Sequence, residues 1–275
     1  MNWLEPLAYE YMLRAIGVSA LVGVLCAMLS CFLVLKGWSL IGDALSHAIV
    51  PGVAVAYIVG LPYTVGAAVA AALATFVLTF LRVRTALKDD VVIGVVLSLF
   101  FSLGLFIASI SPISVDITSI VLGNMLAVSD ADIVQMWVLS VVAMFVYAVF
   151  WRTWLLVFFD PLQAAASGIA PKRHRVTFFI ILGATIVVAM KAVGAFMVVA
   201  MVVIPGASAH LLTQRFLPML LVASLIGGLS GGLGVYFSYF LNGATGGVVV
   251  LMQTVCFFLA FVWTRVSQMQ LRAVR

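Results

Sequence analysis

Asp43 and His47 are the residues of this chain whose types and spacing could do chemistry. They lie in the run Gly42-Asp43-Ala44-Leu45-Ser46-His47-Ala48-Ile49-Val50-Pro51-Gly52, which opens a long apolar segment. Spacing of i to i+4 puts a carboxylate and an imidazole on one helix face, one turn apart. Such a pair is half a site for a divalent first-row metal ion. Helical rise places the two residues about 10–17 Å beyond Lys36, too deep for a short carboxylate to reach the headgroups. An ionisable group at membrane depth is costly, so a substrate pathway is its default reading. The bland alternative is a structural hydrogen-bonded pair near the inner surface. Two ligands cannot hold a metal alone. A two-fold axis would supply a second Asp43/His47 pair and four N/O ligands. Ligation needs neutral imidazole, so transport should fall in acid.

The composition decides where such a pair must sit. The chain has 275 residues, 65% hydrophobic and 8% charged. Soluble domains carry roughly a quarter charged residues. The sequence therefore predicts an all-α polytopic membrane protein. Its net charge of +5 reads as basic cytoplasmic loops, with membrane lipids and not nucleic acid as the neighbours. The three cysteines form no Cys-x-x-Cys pair, so neither a disulfide nor a thiolate metal site is expected. Glu5 and Glu10 precede the first apolar run, and the start does not read as a cleaved signal peptide.

Apolar runs predict about nine spans, at residues 12–35, 45–59, 63–81, 91–110, 133–150, 176–190, 193–211, 217–240 and 246–263. The second is short unless the Asp43 turn belongs to it. Arg82, Arg84 and Lys88 fall in one loop, and Arg152, Lys172, Arg173 and Arg175 in another. With Arg215 and the tail Arg265, Arg272 and Arg275, they all become cytoplasmic if the N-terminus is outside and the C-terminus inside. Residues 112–128 are apolar but interrupted, and are expected as a re-entrant or interfacial piece on the outer face.

One cytoplasmic loop carries its own helix signals. Asp160 suits an N-cap and Pro161 the first helical position. Ala164, Ala165 and Ala166 propagate it, Gly168 suits a left-handed terminator, and Pro171 lies just beyond. About two turns cannot stand alone in water. The segment is either a surface loop or a docking helix for a cytosolic subunit. The basic run from Lys172 to Arg175 is placed at that helix's negative end or at lipid headgroups.

Other features weigh less. Met197 and Met201 are also i to i+4 and read as packing, or as a hydrophobic gate. Pro51 and Pro205 should break or kink their helices and free carbonyls that could line a pore. His174 reads as a loop residue, and Lys191 and His210 as interfacial. Gly227, Gly228, Gly231 and Gly232 form a small-residue packing face, a candidate subunit interface. No Walker motif occurs, so the chain is not itself the ATPase, and no catalytic constellation supports an intramembrane enzyme.

The run Gly42 to Ala54 resembles the signature of the manganese/iron/zinc permease family of ATP-binding-cassette importers. The run from Val193 through Pro205-Gly206 to Ala209 resembles that family's late glycine-to-proline segment. The helix opened by Phe159-Asp160-Pro161 is similar to its ATPase-coupling region. The resemblance covers nearly the whole chain as one permease domain, residues 1–275, with a coupling helix at 160–171. It implies a type II importer-like bundle in the bacterial plasma (inner) membrane. It also implies two permeases (identical or related chains), separate ATPase subunits and an extracytoplasmic metal-binding protein. Asp43 and His47 match positions that line the metal pathway. Asp160, Pro161, Leu162, Gln163, Ala164 and Gly168 fall in the coupling region, and Pro51, Met197, Met201 and Pro205 are pore or gate candidates. No cofactor is bound permanently. The cargo implied is Mn2+ or Fe2+, with the family's zinc permease as the alternative. A self-sufficient cation channel or secondary transporter is the competing class, and would call for an inverted repeat and more midplane carboxylates. His210, where arginine is more usual in the family, departs from the pattern.

Overall fold

The computed structural model describes residues 5–61, 63–110 and 130–273, with the backbone alone for 63, 64, 83, 89, 108, 130–132, 195, 196 and 268–273. The expected piece at 112–128 lies outside the described residues. Among the described residues, a short 3-10 turn, Glu5–Ala8, precedes ten helices. They are α1 (Glu10–Lys36), α2 (Ser39–Val59), α3 (Tyr63–Arg84), α4 (Asp89–Ile110) and α5 (Asp130–Phe159). Then come α6 (Pro161–Ala166), α7 (Pro171–Val193), α8 (Ala195–Leu212), α9 (Phe216–Leu241) and α10 (Thr245–Ala273). Among the described residues, eight helices are long and apolar enough to cross a membrane. The remaining expected span, residues 193–211, is α8, at 18 residues shorter than the others.

Two boundaries differ from the sequence reading for one reason. Arg152 ends the apolar run, yet α5 continues to Phe159 because nothing before Pro161 breaks a helix. Trp154, Val157 and Phe158 in that extension are buried. Likewise α7 starts at Pro171, so Lys172, Arg173 and Arg175 occupy its first turn. The basic run therefore opens α7. His174 is not a loop residue either. It lies within α7 with its ring 5.7 Å from that of Phe150.

The chain forms two compact units: Met1–Ser39, Thr118–Gln135 and Ala189–Arg275 make one, and Leu40–Ile117 with Met136–Val188 the other. In the first, α1 and α9 run antiparallel in a fixed register. Cys31 Sγ lies 3.8 Å from the Met219 carbonyl oxygen, Gly23 faces Gly227, and Ser19 faces Gly231. A Cβ at Gly23 would fall on the Gly227 carbonyl oxygen, and one at Gly227 on that of Gly23. The glycine face considered for a subunit contact is thus spent inside the chain, against α1. Gly227→Ala should destabilise the protein by about 1–3 kcal/mol through overpacking. Gly247→Ala, where an added Cβ meets nothing within 4 Å, should be neutral or slightly stabilising. Thermal unfolding of the two variants in detergent checks the pair, and equal shifts would contradict the seam.

Pro205 sits inside α8 without ending it. Ser30 of α1 bridges the site. Its hydroxyl donates to the Val203 carbonyl at 3.0 Å and accepts the Gly206 N–H at 3.0 Å. A helix missing one intrahelical bond is held by a neighbour's side chain, as membrane helices with internal proline require.

Candidate metal site on the second helix

In the second unit, α2 is positioned by two close crossings. Gly52 and Gly66 bring α2 and α3 together so closely that a Cβ on either would fall on the other's carbonyl oxygen. On α4, a Cβ at Gly104 would lie 3.0 Å from Val50 and 3.1 Å from Pro51. These contacts fix α2 in rotation as well as position. Ile41, Ala44, Leu45, Ala48 and Ile49 are buried. Leu40, Asp43, His47 and Val50 keep some exposure and form one stripe at spacings of three and four.

The expected turn does belong to the second span, since α2 starts at Ser39. Asp43 and His47 share its accessible face. His47 Nε2 lies 3.3 Å from Asp43 Oδ1, with side chains 14% and 30% exposed. The imidazole packs edge-on against Phe101 of α4, ring centroids 5.1 Å apart, which sets its plane. Between the two, Ser46 Oγ turns inward to the Gly42 carbonyl at 2.7 Å and takes no part in the pair. Two ligands each about 2.1 Å from one ion sit about 3.0–3.4 Å apart. The observed spacing therefore suits either a hydrogen bond or a shared ion, with little rearrangement between them. Pro51 stands one turn further along the same helix. Lacking an N–H, it leaves the main-chain carbonyl of His47 without its i+4 donor. Like Pro205, Pro51 lies inside a continuous helix rather than breaking it.

Met197, Met201, Lys191 and His210 lie on other helices. Met201 is fully buried in the first unit, and Met197 packs where a Cβ on Gly246 of α10 would meet it at 3.0 Å. His210 is exposed in the last turn of α8, and Lys191 Nζ lies 3.5 Å from Gln135 Oε1. Among the described residues, no three His, Cys, Asp or Glu side chains gather to hold a metal within one chain. Sequence reading missed Phe101, Gly66 and Gly104 as the residues that orient α2, because each belongs to another helix.

The short helix forms as its signals indicate. Asp160 caps α6, its carboxylate accepting the Gln163 N–H at 2.9 Å. Pro161 stands at its first position, and Gly168 is left-handed, with φ of 77°. Ala164 points inward and is buried, whereas Leu162 is 83% exposed.

The sequence pattern of the ABC 3 transport family matches residues 8–264. This chain belongs to that family. It is 47% identical over 261 residues to the "Probable iron transport system membrane protein" of Haemophilus influenzae, covering 95% of this chain and 93% of that one. It is 41% identical over 262 residues to the "Manganese transport system membrane protein MntB" of Synechocystis, covering 95% and 86%. Among solved structures, "PsaBC from Streptococcus pneumoniae in complex with Fab" superposes with a TM-score of 0.84 at 31% identity, covering 94% of each chain. A putative metal-chelate type ABC transporter in an inward-facing conformation shares the fold at 14% identity, with a TM-score of 0.72. The chain is a multi-pass permease subunit of the bacterial inner membrane.

Proposed function

We propose that this permease carries a divalent transition metal ion, Mn2+ or Fe2+, through the membrane by way of Asp43 and His47. The observation that carries the reading is the polar pair set on a partly exposed stripe in the buried first half of a membrane helix. A carboxylate on such a stripe cannot face lipid cheaply, so the stripe faces a second permease. Two copies then bring two carboxylates and two imidazoles to one ion, a mixed set that suits Mn2+ and Fe2+. The relatives named for manganese and for iron transport support this cargo.

In this reading the positive-inside pattern puts the N-terminus outside and the C-terminus in the cytoplasm. The α6 helix then lies on the inner face, where Leu162 inserts into an ATPase subunit. Asp160, Pro161 and Gly168 shape the helix that presents it, and Ala164 seats it on the permease. An extracytoplasmic protein delivers the ion. Uptake of radioactive Mn2+ into proteoliposomes holding the permease, its ATPase and the binding protein tests the whole. ATP-dependent accumulation, competed by Fe2+, is the expected result. Accumulation independent of ATP would favour a self-sufficient channel instead.

A further inference from the structure

Gln253 of α10 is fully buried, and among the described residues neither its amide oxygen nor its amide nitrogen has a hydrogen-bond partner. The amide of a membrane-embedded residue left so costs several kcal/mol. Several buried hydroxyls have a local answer. Ser46, Ser208 and Ser230 turn their hydroxyls back onto the carbonyl four residues earlier. Gln253 makes no such bond.

What lies opposite Gln253 follows from two anchor points. Gly246 of α10 abuts Val193 and Met197, and Thr264 Oγ1 donates to the Leu211 carbonyl at 3.2 Å. The α8 and α10 helices therefore run side by side in the same direction. Residues 246, 253 and 264 are seven and eleven apart, so they share one face of α10. Interpolating between the anchors puts Gln253 at the level of Met201. That residue is also fully buried, and its main-chain carbonyl is the one deprived of a donor by Pro205. The Ser30 bridge serves Val203 and Gly206, not Met201.

We propose that Gln253 and the Met201 carbonyl form an intramembrane binding site for a water molecule that solvates the proline turn of α8. The water accepts from Gln253 Nε2 and donates to the Met201 oxygen. Water fits because both an acceptor and a donor are needed between an amide and a carbonyl, and a buried water makes two to four such bonds. The site belongs to the helix core and stands whether or not Asp43 and His47 carry the cargo.

The test turns on a sign. Replacing an unserved amide by an apolar residue should stabilise a protein, whereas removing one wall of a hydrated site strands the other. In the assembled complex, Gln253→Leu should lower the unfolding temperature by about 2–4 °C. In a Pro205→Ala background, where the Met201 carbonyl regains its helical donor, the same change should have no effect or a stabilising one. The volume-matched Gln253→Met answers the same question should Gln253→Leu not assemble. A rise in unfolding temperature in the parent protein, or equal falls in both backgrounds, would overturn the site.

Discussion

Asp43→Ala and His47→Ala should each reduce metal uptake at least about 100-fold while leaving the permease assembled with its ATPase. Loss of a residue that merely orients a metal ligand already costs about 10–100-fold in affinity, and these side chains are the proposed ligands themselves. The effect should be shared by both positions, because His47 Nε2 and Asp43 Oδ1 lie 3.3 Å apart and would touch the same ion. Assembly should survive because both side chains are partly exposed and neither belongs to the buried core face of α2. Uptake of radioactive Mn2+ together with co-purification of the ATPase separates the two readouts. Wild-type uptake in both single variants would sink the cargo site, and loss of assembly would return the pair to a structural role.

The second large effect is expected at Leu162→Asp. A leucine 83% exposed at the tip of a capped two-turn helix has the character of an interface anchor, and anchors are worth about 2 kcal/mol or more. That corresponds to about 30-fold weaker ATPase binding. In the proposed contact a carboxylate would also bring an unpaired charge where the leucine packs, which adds to the cost. Ala165→Arg, on the exposed side of the same helix, should act in the same direction. Titration of purified ATPase onto the permease in nanodiscs measures both. Unchanged binding with normal ATP-driven uptake would remove α6 as the docking element. Because Leu162 lies outside the packed core, the variants should unfold at the temperature of the parent protein.

The membrane class, the helices and the shared face of Asp43 and His47 were legible because each is a local signal. Apolar runs of about 20 residues mark spans, and i to i+4 spacing marks a shared face. The cap of α6 was legible residue by residue, since Asp160, Pro161 and Gly168 act within one turn. What stayed hidden depends on residues far apart in sequence. Gly23 carries no visible signal beside Gly17, yet it meets Gly227 backbone to backbone. Phe101 looks like any apolar residue of α4, yet it sets the plane of His47. The α5 helix outran its apolar stretch because hydropathy reports solvent, whereas helix continuation depends on the lack of a breaker. Gln253 did carry a local signal, a lone amide in an apolar run. Its meaning required the anchor points that place it beside Met201.

The seam between α1 and α9 has a consequence for biosynthesis. Its two halves are made about 200 residues apart, and glycine against glycine leaves no tolerance for a substitute partner. A nascent chain therefore inserts its first helix long before the segment that fits it leaves the ribosome. During that interval α1 must wait in lipid with a bare backbone groove, a target for quality-control proteases and for mispairing with other small-residue helices. Chains truncated ahead of residue 216 should accordingly be short-lived in the cell, however well their earlier helices insert.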